Sequence, residues 1–239
     1  MEKELQIPTE DGHVIYGTLN SSDTKSDKLI VFVHGFTGHS NEHFFYNAAR
    51  FFPSNGFYTF RFNLYRPEKD ARKLTETSVS EHVLDFQTVL AHFKDQYEHI
   101  YAVGHSLGAH AVVRSKSSLD AVVLWEPAVE VSELCASLDF DKKSDCYIEH
   151  SNVDILVGKN FVEDAQGLPP IASVMASFDR PVKIIGGEVG GTEIAEKTYF
   201  AHARDPKDIY IIKGSGHTFD EGDAERELFK ETLEWFEKF

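Results

Sequence analysis

Hydrophobic residues occur along this chain in two patterns: short, nearly unbroken runs, and longer segments in which they recur every three or four positions. Unbroken runs indicate strands that are buried on both faces, whereas the wider spacing indicates amphipathic helices. The strand-like runs lie at 29–33, 57–62, 100–103, 121–125, 181–185 and 208–212, and the helical segments at 41–52, 78–97 and 223–239. Their alternation predicts a mainly parallel central sheet of about eight strands, flanked by helices on both faces.

Two further stretches fall outside this alternation. Residues 4–7 and 13–19 flank Thr9-Glu10-Asp11-Gly12, a turn-forming sequence, and together they predict a β-hairpin. From 127 to 179 the pattern loosens, with polar runs between short apolar pieces. The length of 239 residues predicts one domain over residues 1–239 rather than two.

Composition limits the partners that this chain can have. Its 39 acidic and 24 basic residues give a formal net charge of -15, so nucleic acid and anionic membranes should repel it. The N-terminal residues are charged, and no apolar stretch reaches transmembrane length. Cys135 and Cys146 are expected to be reduced thiols. These features predict a cytoplasmic protein without nucleic-acid or membrane partners, and they leave a homodimer open.

The most informative motif is Gly104-His105-Ser106-Leu107-Gly108, between an apolar run and a helix-like segment. This G-x-S-x-G pattern in a strand–turn–helix context is typical of a nucleophile elbow, where a strained turn exposes a serine hydroxyl. The helix that starts there directs free N–H groups toward negative charge forming beside Ser106.

Two other segments also follow apolar runs: His34-Gly35-Phe36-Thr37-Gly38 and Gly214-Ser215-Gly216-His217. Together with the elbow they resemble the α/β-hydrolase family over nearly the whole chain. The resemblance implies an α/β-hydrolase fold, a small cap insertion at about 127–179, and His217 as the catalytic base. It also implies an oxyanion hole formed by the N–H groups of Phe36 and Leu107, with His34 in a structural role.

The acid of the expected triad is missing from its usual place. The family's Gly-x-x-Asp pattern corresponds here to Gly187-Glu188-Val189-Gly190, which has glycine at the acid position. Three carboxylates are alternatives: Glu126, at the end of the strand after the elbow strand, Glu188 and Glu193. Some family members carry the acid where Glu126 lies, so Glu126 is the first choice.

Other kinds of site find little support in the sequence. The histidines His39, His43, His105 and His110 lack the spacing of a metal site, and no phosphate-binding loop or dinucleotide motif occurs, so no cofactor and no metal are expected. A polar, irregular stretch at 63–77 contains four cations: Arg66, Lys69, Arg72 and Lys73. We expect this stretch to be a solvated loop rather than an anion-binding site.

The sequence thus predicts a serine hydrolase, most simply a carboxylesterase that acts on small or medium acyl esters through an acyl-enzyme. Its triad would be Ser106, His217 and Glu126. Chain length, cap and the His-Gly-Phe-Thr-Gly turn resemble bacterial feruloyl and cinnamoyl esterases. The alternatives are a hydrolase of thioesters, lactones, amides or monoacylglycerols, and a non-catalytic binding protein that keeps the fold.

Overall fold

An eight-stranded sheet forms the centre of the computed structural model, which describes residues 1–151 and 153–239. The strand order is β1-β2-β4-β3-β5-β6-β10-β11, and every pair from β4 onward is parallel, while β1-β2 and β2-β4 are antiparallel. The strands are β1 (Glu2–Pro8), β2 (Val14–Asn20), β3 (Lys28–Val33), β4 (Tyr58–Phe62), β5 (His99–His105), β6 (Val122–Trp125), β10 (Val182–Gly187) and β11 (Lys207–Ile212). The predicted parallel sheet and the N-terminal hairpin are therefore confirmed.

Helices cover both faces of this sheet. The α-helices are α1 (His43–Phe51), α2 (Val79–Phe93), α3 (Leu107–Arg114), α4 (Val131–Cys135), α5 (Lys159–Gly167), α6 (Ile171–Ser177) and α7 (Ala224–Phe236), with a 3₁₀ turn at Phe52–Asn55 and a π-helix at Ile194–Phe200. One core cluster joins α1 and α7 to the sheet, and a second joins α2, α3, α6 and the π-helix to the opposite face.

The central strand β3 shows why its sequence is apolar throughout. Leu29, Val31 and Val33 belong to the core cluster with α2 and α3. Ile30 and Phe32 belong to the cluster on the other face. Successive side chains of a strand point to opposite faces. In a strand that is covered on both faces, every side chain is therefore buried, and apolar residues are favoured at each position.

The chain between β6 and β10 forms a second, smaller sheet. Its antiparallel strands are β7 (Asp139–Asp141), β8 (Cys146–His150) and β9 (Asp154–Val157). A third apolar cluster joins α4 and α5 of this segment to Leu107 and Phe36. Helix α6 instead packs in the main core. We propose that β7–β9 with α4 and α5 form the cap, which covers Leu107 and Phe36.

Candidate active site

Ser106 lies at the turn between β5 and α3, with φ 52° and ψ -120°. A positive φ is uncommon for a residue with a side chain, so the surrounding structure must hold this conformation. Helix α3 approaches β3 closely here, and a Cβ at Gly108 would overlap the carbonyl oxygen of Val33. Ser106 is partly exposed, although His105 before it and Leu107 after it are buried. The turn therefore leaves this serine accessible at the carboxyl edge of the sheet.

Two backbone N–H groups near Ser106 are free. Among residues 1–151 and 153–239, neither the N–H of Phe36 nor that of Leu107 donates a hydrogen bond. Leu107 begins α3, where backbone donors have no partner within the helix. Gly35, beside Phe36, lies so close that a Cβ on it would come within 2.9 Å of the Ser106 Cβ. Such donors can stabilise an oxygen that becomes negative when a carbonyl is attacked.

His34 holds the turn that carries Phe36. Its Nδ1 donates to the Gly35 carbonyl oxygen at 2.9 Å, and its Nε2 accepts from the Leu64 N–H at 3.0 Å. Burial lowers the pKa of His34 to about 4, so the ring is neutral near pH 7. Both nitrogens are engaged with the backbone, which agrees with the structural role implied by the family resemblance.

His217 lies in the loop after β11, and this loop is attached to His105, the residue before Ser106. The His105 and His217 rings are 4.8 Å apart between centroids, and Nε2 of His105 donates to the His217 carbonyl oxygen at 3.1 Å. Burial lowers the pKa of His105 to about 3, so this ring stays neutral. The contact connects the loop that carries His217 to the elbow that carries Ser106.

The side chains of Ser106 and His217 are not hydrogen-bonded to each other. Within the described ranges, no bond of 3.5 Å or less joins them, and no carboxylate oxygen lies within 4.0 Å of a His217 ring nitrogen. The residue His217 as a whole is exposed to solvent. Protein atoms around its ring nevertheless desolvate the imidazole, and this lowers its pKa. Near pH 7 the ring is thus a free base.

Glu126 follows β6 directly and is 5% exposed. Its φ is 41°, its N–H donates to the Ile185 carbonyl oxygen at 2.7 Å, and its Oε2 accepts from the Gly187 N–H at 2.5 Å. Burial raises the pKa of this carboxyl group to about 7, and the hydrogen bond from Gly187 opposes that shift. The side chain therefore extends from β6 to the end of β10, where the family usually places its acid.

Glycines at the end of β10 and in the loop after it surround this carboxylate. A Cβ at Gly191 would overlap the Glu126 carboxylate, and a Cβ at Gly186 would lie 3.5 Å from its Oε2. The end of β10 also touches the segment of His217, because a Cβ at Gly187 would lie 2.9 Å from the Gly216 carbonyl oxygen. Glu126 and the His217 segment thus lie on either side of Gly187.

The two alternative acids are directed elsewhere. Glu188 is exposed, and its Oε2 accepts from the Gly214 N–H at 2.9 Å. Glu193 is exposed as well and pairs with Lys197 at 2.7 Å. Neither carboxylate is as enclosed as that of Glu126.

The polar stretch 63–77 forms a loop whose cations are mostly engaged within the protein. Arg66 pairs with Glu68 at 2.6 Å. Arg72 is buried rather than solvated, and it pairs with Asp85 at 2.7 Å. The expectation of a solvated loop is therefore wrong for Arg72, because three carboxylates from other segments meet its guanidinium group.

A cavity of about 390 Å³ lies beside the turn at 34–38. Thr37 and Gly38 of that turn, Tyr65 of the polar loop, and Ile155 and Leu156 of β9 contribute to its lining. The described part of the chain contains no group of three or more His, Cys, Asp or Glu placed to hold a metal ion. Nor does any described helix have both the length and the apolar content to cross a membrane.

Sequence reasoning missed two features of this site. One is the contact between His105 and the His217 loop, for which the sequence gives no signal because the residues are remote in the chain. The other is the role of Gly187 and Gly191, which leave space next to the Glu126 carboxylate and the His217 segment. The sequence signal is the high number of glycines in this stretch, because a glycine allows another group to approach the backbone closely. The loop has no aspartate, and the carboxylate of Glu126, which follows β6, lies against it.

Known proteins agree with this architecture. A model of the alpha/beta hydrolase family matches residues 30–230. The chain belongs to the alpha/beta hydrolase family. The resemblance drawn from the elbow and the two loops is therefore confirmed, and the eight-stranded sheet is the sheet of an α/β-hydrolase fold.

Solved structures of similar fold match this alpha/beta hydrolase over nearly its whole length. Est1E from Butyrivibrio proteoclasticus with bound ferulic acid is 20% identical, with a TM-score of 0.81 and coverage of 98% of both chains. The esterase domain of a Rhodothermus marinus protein is 18% identical, with a TM-score of 0.77, over 98% of this chain and 97% of that one. A dienelactone hydrolase from Anabaena variabilis is 14% identical, with a TM-score of 0.71, over 100% and 98%. No curated protein sequence matches the chain.

Proposed function

We propose that this alpha/beta hydrolase is a serine carboxylesterase for small or medium acyl esters. The observation that carries the proposal is the strained Ser106 between β5 and α3, beside the free N–H groups of Phe36 and Leu107. Esterases among the solved structures of similar fold support the choice of ester over other acyl compounds. Thioesters, lactones, amides and monoacylglycerols pass through the same kind of tetrahedral intermediate and are secondary candidates.

The first half of the proposed reaction forms an acyl-enzyme. The Oγ of Ser106 attacks the ester carbonyl carbon while His217 takes the hydroxyl proton, and the N–H groups of Phe36 and Leu107 hold the oxyanion. Collapse of this intermediate breaks the bond to the alcohol oxygen, which takes the proton from His217. The acyl group remains as an ester of Ser106.

In the second half, water releases the acid. His217 removes a proton from the water that attacks the acyl carbon, and the same two N–H groups hold the second oxyanion. Collapse frees the carboxylic acid and returns the proton to Ser106. The proposal assigns to Glu126 the task of orienting His217 and stabilising its imidazolium form.

Both assignments require movement of side chains. His217 must turn toward the Oγ of Ser106, and its exposure supports this because exposed side chains change rotamer within nanoseconds. Catalytic hydrogen bonds are often long before substrate binds and tighten in its complex. Gly187, between Glu126 and the His217 segment, offers no side chain that would keep the carboxylate and the imidazole apart.

A non-catalytic binding protein is the second candidate, and one observation favours it. Among the residues that the structure describes, His217 has neither Ser106 nor a carboxylate as a hydrogen-bond partner. A protein that had lost catalysis would keep the fold and the elbow in this form.

Hydrolysis of p-nitrophenyl acetate and butyrate separates the two candidates. We expect turnover by the wild-type protein that falls to background in Ser106→Ala and falls about 10³-fold or more in His217→Gln. Glu126→Gln should lower kcat about 10²- to 10⁴-fold, whereas Glu188→Gln, an equal change at an exposed carboxylate, should leave it within about twofold. Wild-type rates no higher than those of Ser106→Ala would favour the binding protein.

A further inference from the structure

A groove of about 510 Å³ lies where α2, α6 and the C-terminal end of α3 meet. Its size falls within the range of small-molecule sites, about 300–1,000 Å³. The groove is separate from the candidate active site, because α3 extends about 12 Å from Leu107 to Arg114 at about 1.5 Å per residue. Ser106 precedes that helix, whereas Arg114 at its end lines the groove.

The walls of the groove are largely apolar. Val83 and Leu84 contribute from α2, Val174 from α6, and Leu168 and Pro169 from the segment before α6. Leu84 is 56% exposed, although large apolar side chains of this protein are mostly buried. Leu84 thus adds exposed apolar surface to a concave site, and small-molecule sites are concave and lined mainly by apolar side chains.

Two cations line the groove without an acidic partner. Within residues 1–151 and 153–239, no carboxylate oxygen lies within 4.0 Å of Arg114 or Lys116. The Nη2 of Arg114 donates to Nδ1 of His110 at 3.4 Å, while its Nε is buried and lacks an acceptor. Burial lowers the pKa of Arg114, so an anion beside the guanidinium group would relieve part of that desolvation. The charges of Glu130 and Asp164 oppose that shift without coming within pairing distance of the guanidinium group.

The other polar groups of the groove are already satisfied. Ser173 and Ser177 donate through Oγ to backbone carbonyl oxygens of their own segment at 2.8 and 2.9 Å. Ser80 donates through Oγ to Asp164 at 2.6 Å, and its N–H donates to the same carboxylate at 2.9 Å. The two cations are therefore the polar groups that remain for a ligand.

We propose that this groove binds an amphipathic carboxylate, a straight-chain fatty acid of medium length. Its carboxylate lies against Arg114 and Lys116, and its hydrocarbon chain lies along Val83, Leu84 and Val174. Guanidinium and carboxylate groups match in geometry, and the apolar walls accept methylene groups that leave water. The site is additional to the candidate active site and does not depend on catalysis at Ser106.

Calorimetric titration of decanoate into the Ser106→Ala protein tests the proposal independently of the proposed function. We expect Arg114→Gln to raise Kd about tenfold or more and Lys116→Gln to raise it several-fold, since a charge-assisted hydrogen bond is lost in each case. Lys116 is exposed, so its replacement should leave folding intact if that of Arg114 does not. Lys94→Gln, the same change at an exposed lysine outside the groove, should leave Kd unaltered.

Decanamide provides the matched neutral ligand, and it should bind at least tenfold more weakly than decanoate. The proposal is overturned if both compounds bind equally, if Lys116→Gln and Arg114→Gln keep the Kd of the parent protein, or if decanoate does not bind below its micellar concentration. None of these results would alter the conclusions about Ser106.

Discussion

Glu126 is the residue whose ionisation connects the candidate site with the stability of the fold. Its carboxyl group is buried, and its pKa is raised from 4.5 to about 7. The folded protein therefore binds this proton more tightly than the unfolded chain. The contribution of this proton to the free energy of unfolding is fully present below about pH 4.5 and is lost as the pH rises through about 7.

Glu126→Gln should remove this dependence on pH. From about pH 5 to pH 8, the free energy of unfolding of the variant should rise relative to wild type by up to about 3 kcal/mol, because the variant has no charge to bury. The amide oxygen can still accept from Gly187. Urea unfolding at several pH values measures the difference, with the exposed Glu10→Gln as a control that should show none. A difference that stays constant with pH would contradict the burial argument.

The loop between β10 and the π-helix is the element that makes room for this carboxylate. Gly191 in this loop lies where any side chain would meet the Glu126 carboxylate, and Gly187, the last residue of β10, supplies the N–H that binds it. Gly190 occupies the position where the family usually has its acid, and the proposed function assigns that role to Glu126, which follows β6. We therefore propose that the conformation of the loop and the position of the Glu126 carboxylate are coupled.

Gly191→Ala tests that coupling. The added methyl group should displace the Glu126 carboxylate and lower kcat about 10²-fold, because small displacements in an active site have effects of that size. The control Gly167→Ala adds a methyl group in open space and should leave kcat unchanged.

If the effect passes through Glu126, Gly191→Ala should add little to the loss already caused by Glu126→Gln, since non-additivity marks residues that act together. Losses that multiply in the double variant would contradict the coupling. Thermal unfolding of each variant shows whether a general loss of structure contributes.

The main-sheet elements follow closely from the sequence. The runs predicted at 29–33 and 208–212 are β3 and β11 with one further residue each. The helix predicted at 78–97 ends at Phe93. The prediction is too long because Tyr97, just after the turn at 94–96, packs on the core and continues the apolar spacing beyond the helix.

The small sheet and the π-helix could not be predicted in this way. The strands β7, β8 and β9 are short and mostly half-buried or exposed, so they show no regular apolar alternation. The π-helix at Ile194–Phe200 differs from an α-helix in hydrogen bonding, which apolar spacing does not reveal. Both elements are defined by contacts with distant segments rather than by their own sequence.

At the scale of the whole molecule, the parallel sheet brings the candidate residues together. The strands β3, β5, β6, β10 and β11 are parallel, so their carboxyl ends lie at one edge. Gly187 ends β10, and the segments that follow the other four strands carry Phe36, Ser106, Glu126 and His217. Residues far apart in the chain thus share one edge for a topological reason.

This topology explains how much of the site the sequence could predict. Ser106 and His217 occur in local motifs just after strands, so their placement at this edge follows from the pattern. The acid has no such motif, and its choice depends on which side chain the loop after β10 encloses. The separation between Ser106 and His217 also depends on side-chain conformation, which no sequence pattern specifies.

Fluorophosphonate labelling mapped by mass spectrometry tests most directly whether His217 makes Ser106 nucleophilic. We predict one adduct per chain, located on Ser106, and a labelling rate that falls about 10²-fold or more in His217→Gln. Wild-type protein that remains unlabelled at Ser106 under conditions that fully label a known serine hydrolase, or that labels no faster than His217→Gln, would contradict the account.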